Sequence, residues 1–149
     1  MELFEQVSKD IREAMKAHDK VRLEALRNIK KVFLEAKTAP GANDTLEDDT
    51  AMKILQKLAK QGEESAEVYQ KAGRNELAEE EQAQVNIIKQ YLPQPLSEEE
   101  IEAQIKTIIT QTGASTMKDM GKVMGLASKQ MAGQADGKTI STIVRRLLA

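Results

Sequence analysis

The stretch Tyr91-Leu92-Pro93-Gln94-Pro95 constrains this chain more than any other. A proline lacks the backbone N–H that a helix interior needs, and its ring collides with the preceding turn, so two prolines two apart end any helix that reaches them. On both sides of that break the apolar residues recur at three and four, the period of a helix. The chain is therefore expected to be all-α, with a domain boundary at the prolines. Residues 1–92 are read as an N-terminal helical domain of about four helices. Residues 93–149 are read as a three-helix C-terminal domain joined to it by a proline-containing hinge. Composition agrees: only Phe4, Phe33, Tyr69 and Tyr91 are aromatic, and a chain dominated by Leu, Ile, Ala, Lys, Glu and Gln favours helix over sheet.

The helices can be placed from their stripes and caps. Leu3, Val7, Ile11 and Met15 mark a first helix, and Asp19 is expected to cap a second, running to about Ala36, with Leu23, Leu26, Ile29 and Phe33 inward. The loop TAPGAND follows. Thr45 and Asp48 resemble a capping box for a third helix, which carries Ile54, Leu55, Leu58 and Tyr69 to about Gln70 with Gly62 inside it. Gly73 ends it, and a fourth helix from Asn75 turns Leu77, Val85 and Ile88 inward. Beyond the prolines, Ser97-Glu98-Glu99-Glu100 is a capping box for a fifth helix with Ile101, Ile105, Ile108 and Ile109, ended by Gly113. Ser115 is expected to cap a sixth helix ended by Gly133, and Asp136 a seventh with Ile140, Ile143, Val144, Leu147 and Leu148.

Several kinds of chemistry are excluded by residue type. The 149 residues contain no cysteine, which removes disulfides, thiolate metal sites and a Cys nucleophile. His18 alone cannot build a histidine metal cluster or a Ser-His-Asp relay, and at a helix junction it reads as a solvated side chain. Glu63-Glu64 and Glu79-Glu80-Glu81 are neighbours in sequence, so on a helix they point about 100° apart and read as a solvated face. The stretch GKVMG lacks the phosphate-loop spacing. No metal and no cofactor is expected. No apolar run approaches the roughly 20 residues that span a bilayer, and MELFEQVSKD has acids where a signal peptide needs bases, so a cytoplasmic protein with no membrane association is expected.

What remains is a basic tail. Residues 1–92 hold 15 Lys/Arg against 18 Asp/Glu, a net of −3, whereas residues 113–149 hold six against two, a net of +4. Lys118, Lys122 and Lys129 share the sixth helix, Lys138 lies in the first turn of the seventh, and Arg145-Arg146 lie near its end. Gly121 and Gly125 sit four apart among the lysines, on a helix whose apolar face is read as Met117, Met120, Met124 and Ala127. Each glycine inside a helix costs about 1 kcal/mol relative to alanine. Two readings account for the pair: close approach by another backbone, phosphate or sugar, or tight packing of a small helix on its neighbour.

A set of motifs spread over nearly the whole chain resembles the YqeY family, the free-standing relatives of the tail of GatB, the B subunit of glutamine-dependent tRNA amidotransferase. The motifs are Leu26-Arg27; Lys60-Gln61 with Glu64-Ser65; Ala72-Gly73-Arg74 with Leu77 and Glu81; Tyr91-Leu92-Pro93; Asp119 to Gly125; and Gly133 to Gly137. Gly62 departs from the pattern, standing where an arginine is usual. The resemblance implies a helical domain followed by a three-helix domain, the latter similar to a tail that contacts the elbow of tRNA while amide transfer occurs elsewhere.

Three functional readings follow. The first is a non-catalytic tRNA-associated module, with Gly121, Lys122 and Gly125 forming the contact and Lys118, Lys129, Lys138, Arg145 and Arg146 supplying charge. The second is an adaptor that presents Arg27, Lys60, Gln61, Ser65 and Arg74 to a protein partner in tRNA-dependent amidation or aminoacylation. The third, amide transfer by a carbon–nitrogen ligase with glutamine as donor, rests on kinship alone, and no catalytic residue is assigned.

Overall fold

The computed structural model describes residues 2–149, and every regular element among them is helical. The residues divide into two compact units, one ending at Leu92 and the other spanning Pro93–Ala149. The first unit contains α1 (Glu2–Lys16), α2 (Lys20–Lys37), α3 (Asp48–Lys71) and α4 (Asn75–Lys89). The second contains α5 (Glu98–Thr112), a single 3-10 turn (Met117–Asp119), α6 (Met120–Gln130) and α7 (Gly137–Leu148). Among the described residues, no helix is long and apolar enough to cross a membrane.

In the first unit the caps are only partly local. Asp19 caps α2 as its residue type predicts, accepting from the Arg22 amide at 3.1 Å. The start of α3 differs from the expected capping box. Thr45 donates its hydroxyl back to the Ala42 carbonyl at 2.7 Å, and Glu47, in the capping place, makes no side-chain bond to the helix. Asp48 instead reaches another helix, accepting from the Leu3 amide of α1 at 3.1 Å. It thereby satisfies one of the amides that a helix start leaves open and sets a negative charge against the positive end of α1. Gly73, at φ 75°, turns the chain from α3 into α4.

The first core centres on Val7, Leu26, Ile29, Phe33, Leu55 and Val85, all with no exposed surface. Full burial of side chains of this size contributes roughly 1.5–3 kcal/mol each. Met15 is not part of it: it is 51% exposed, and Ala14 is buried in its stead. Four residues turn a helix by slightly more than one full turn, so a run spaced strictly by four drifts round the helix, and Met15 has left the inward face. Leu77, also expected inward, is 36% exposed. Gly62 faces α4, and a Cβ built on it would overlap the Cγ2 of fully buried Val85. The bare backbone at Gly62 is what lets α3 and α4 approach.

The second unit starts as expected. Ser97 accepts from the Glu100 amide at 3.2 Å, and Gly113 closes α5 at φ 69°. The next helix opens differently: Thr116, not Ser115, is the cap, accepting from the Lys118 amide at 3.3 Å. The carboxylate of Asp119 reaches back to accept from the amides of Ser115 at 3.0 Å and Thr116 at 3.3 Å. Those two bonds, with the charge of Lys122 beside them, hold its carboxyl below the ordinary range. α6 stops at Gln130, short of Gly133, which at φ 81° belongs to the turn toward α7. Asp136 caps α7, accepting from the Thr139 amide at 2.7 Å. Ile101, Ile105 and Ile108 of α5, Val123 and Ala127 of α6, and Ile140, Ile143 and Val144 of α7 form the second core with Met131.

Two predictions follow from these contacts. Gly62→Ala gains about 1 kcal/mol of helix propensity but forces a methyl onto stiff, buried Val85, an overpacking cost of about 1–3 kcal/mol; a lower urea midpoint is expected, and an unchanged or higher one would contradict the packing. Asp119 has a lowered folded pKa, so its stabilising contribution is present above its ordinary value of 3.8 and is lost as pH falls through the folded value. The stability difference between the parent and Asp119→Asn should therefore be greatest near neutral pH and shrink on acidification, as followed by thermal unfolding at a series of pH values.

Candidate nucleic-acid interface

The two faces of α6 separate cleanly. Val123 and Ala127 are buried, and Met120 and Met124 are half-buried on the same side. At about 100° per residue, Gly121, Lys122, Gly125 and Lys129 fall on the opposite side, and all four are exposed. A Cβ placed on Gly121 or Gly125 would meet nothing within 4 Å. Tight packing of these glycines against a neighbouring helix is therefore excluded: they leave a strip of backbone bare to the outside. Met117, expected on the buried face, lies in the preceding 3-10 turn and is 45% exposed, as is Leu126 on the flank of the glycine strip. Lys118 is exposed in the same turn as Met117.

α7 buries Ile140, Ile143, Val144 and Leu148, and its amphipathic pattern leaves Lys138 and Arg145, two turns apart, on one exposed side. Arg146 behaves differently. Its guanidinium lies 3.0 Å from the Glu102 carboxylate of α5, which also lies 3.4 Å from Lys106. Its charge is thus partly committed within the unit. Among the described residues, Lys118, Lys129, Lys138 and Arg145 form no ion pair, while Lys122 stands beside Asp119 and favours its ionised form.

The candidates in the first unit are only partly united. Gln61 and Ser65 of α3 line a groove of about 140 Å³ with Asn28 of α2 and Glu81 and Gln84 of α4, over a floor of Leu58, Val85 and Ile88. Lys60 is exposed on α3 outside that groove, Arg27 is exposed on α2 beside Lys31 and Leu34, and Arg74 is exposed just ahead of α4. Asn28, Glu81 and Gln84 were not singled out from sequence as site residues, because their convergence depends on how closely α3 and α4 pack at Gly62. Of the acidic runs, Glu63 pairs with Lys89, and nearby Glu67 lies 2.9 Å from Lys71. Among the described residues, no group of three or more His, Asp or Glu converges as a metal site would require.

Comparison with known proteins puts this geometry in a family. A relative from Lachancea thermotolerans, "Altered inheritance of mitochondria protein 41, mitochondrial", is 31% identical over 107 residues, covering 70% of this chain and 57% of that protein. The protein of the same description from Pyrenophora tritici-repentis is 25% identical over 142 residues, covering 93% and 77%. A glutamyl-tRNA(Gln) amidotransferase component from Thermococcus gammatolerans is 46% identical over 55 residues, covering 34% of this chain and 9% of that one. The chain thus spans little more than half of the first of these relatives and a small part of the amidotransferase component. A family model described as "Yqey-like protein" matches residues 4–148, and with that match over nearly its whole length the chain belongs to the YqeY family.

Proposed function

We propose that the second unit is a non-catalytic tRNA-binding module and that its contact surface is the open side of α6, extended by α7. The observation that carries this reading is the bare backbone at Gly121 and Gly125, ringed by Lys118, Lys122 and Lys129. Two exposed glycines in one short helix lower its stability without serving its packing, and a close ligand explains their presence. Lysines around uncovered backbone suit the phosphates and riboses of a folded RNA, which proteins recognise largely by shape. Kinship with a component of a tRNA amidotransferase supports tRNA as the RNA. Lys138 and Arg145 extend the positive surface, and Arg146, tied to Glu102, contributes less.

A protein-interaction role for the first unit is a second reading. The groove of Gln61 and Ser65 with Asn28, Glu81 and Gln84 favours it, since amide and hydroxyl groups beside one carboxylate over an apolar floor suit a polypeptide better than a phosphate. Under this reading Arg27, Lys60 and Arg74 lie outside the groove and serve at its rim or not at all.

The glycines allow a test that separates binding from folding. Gly121→Ala and Gly125→Ala each remove a helix penalty of about 1 kcal/mol and meet no neighbour, so each is expected to raise stability. The double variant should nevertheless bind labelled tRNA more weakly by fluorescence anisotropy, because two methyl groups now cover the contact. Tighter or equal binding by the stabilised protein would refute the proposed contact. For the parent, the affinity should fall log-linearly with salt, with a slope of roughly 0.7–0.9 per phosphate contact. Lys122→Ala should weaken binding and reduce that slope, and absence of tRNA binding even at low salt would remove the reading altogether.

A further inference from the structure

The residues on either side of the prolines are each held by their own unit. On the first side, the Tyr91 hydroxyl donates to Asp10 Oδ2 at 2.5 Å. Arg22 of α2 donates to Gln90 Oε1 at 2.8 Å and lies 4.0 Å from the same Asp10 oxygen. The side chains of Tyr91 and Leu92 pack against the first core, and the Leu92 amide bonds to the Lys89 carbonyl at 3.1 Å. Burial and the Asp10 carboxylate push the Tyr91 phenol above its ordinary range, so its O–H is retained as a donor. On the other side, the Leu96 amide donates to the Gln134 carbonyl at 2.9 Å. Gln134 Nε2 donates to the Gln94 carbonyl at 3.3 Å, and Leu96 packs against the second core.

Pro93-Gln94-Pro95 joins Leu92 to Leu96, and within it the Gln94 carbonyl is held by Gln134. Both prolines lock their own φ, and each biases the residue before it toward extended backbone. We infer that Pro93–Pro95 is a stiff three-residue spacer latched at both ends, by Tyr91 to the first unit and by Gln134 to the second. A polyproline-like segment of this length spans about 9 Å.

The test is backbone 15N relaxation on the full chain, comparing the parent with Tyr91→Phe and Gln134→Ala. Tyr91→Phe keeps the ring in the core and removes only the hydroxyl, and Gln134→Ala removes the bond to Gln94 while leaving the main-chain bond to Leu96. Unchanged chemical shifts for Val85 and Ile140 would establish that both cores persist. In the parent, the amides of Tyr91, Leu92 and Leu96 are expected to be as ordered as the helices, with order parameters near ~0.85. Tyr91→Phe should lower the order of Leu92 alone, and Gln134→Ala that of Gln94 alone. Order parameters below ~0.6 at Leu92 or Leu96 in the parent, or no loss of order in either variant, would overturn the inference.

Discussion

Each helix of this protein carries one apolar stripe, and helices in proteins draw most of their stability from packing such a face, so every element depends on burying that stripe against neighbours within its own unit. That requirement yields two separate cores, one around Phe33, Leu55 and Val85 and one around Ile105, Val123 and Val144. The two prolines supply the break between them. Loss of helix at Pro93 would be costly inside a core, but it is tolerated where neither core needs the chain to continue as a helix.

The tightest geometric demand in the first unit falls on Gly62. α3 and α4 come close enough there that even a methyl group would collide with Val85. Any longer side chain at this place would have to project where Val85 now sits. The polar side chains gathered at the same point, Gln61, Ser65, Glu81 and Gln84, are brought together by that approach. Packing and a candidate surface therefore have a single cause in this unit.

α6 shows the opposite use of the same residue. Gly121 and Gly125 face open space, so no packing argument accounts for the helix stability they forgo. The lysines at the same side of the helix are held out of the core by the burial of Val123 and Ala127 opposite them. Arg146 shows that net charge is a poor guide to an available surface: its guanidinium is engaged with Glu102, which the +4 of the tail does not include.

The sequence by itself determined the all-α class, the seven helices among the described residues and most of their ends, because these rest on local physics. Apolar period, a missing proline amide, an aspartate at the cap in Asp19 and Asp136, and a left-handed glycine in Gly73 and Gly113 all act within a few residues of themselves. Positions whose meaning depends on what stands across from them were decided only by the tertiary structure. Asp48 looks like a cap for its own helix and serves α1 instead; Met15 continues a stripe on paper and has drifted off the inward face. Gly62 and Gly125 are the same residue in the same kind of helix, yet one is pressed against Val85 and the other against nothing. No local pattern separates them, because a glycine has no side chain to reveal its environment, and only the distance to the next helix does.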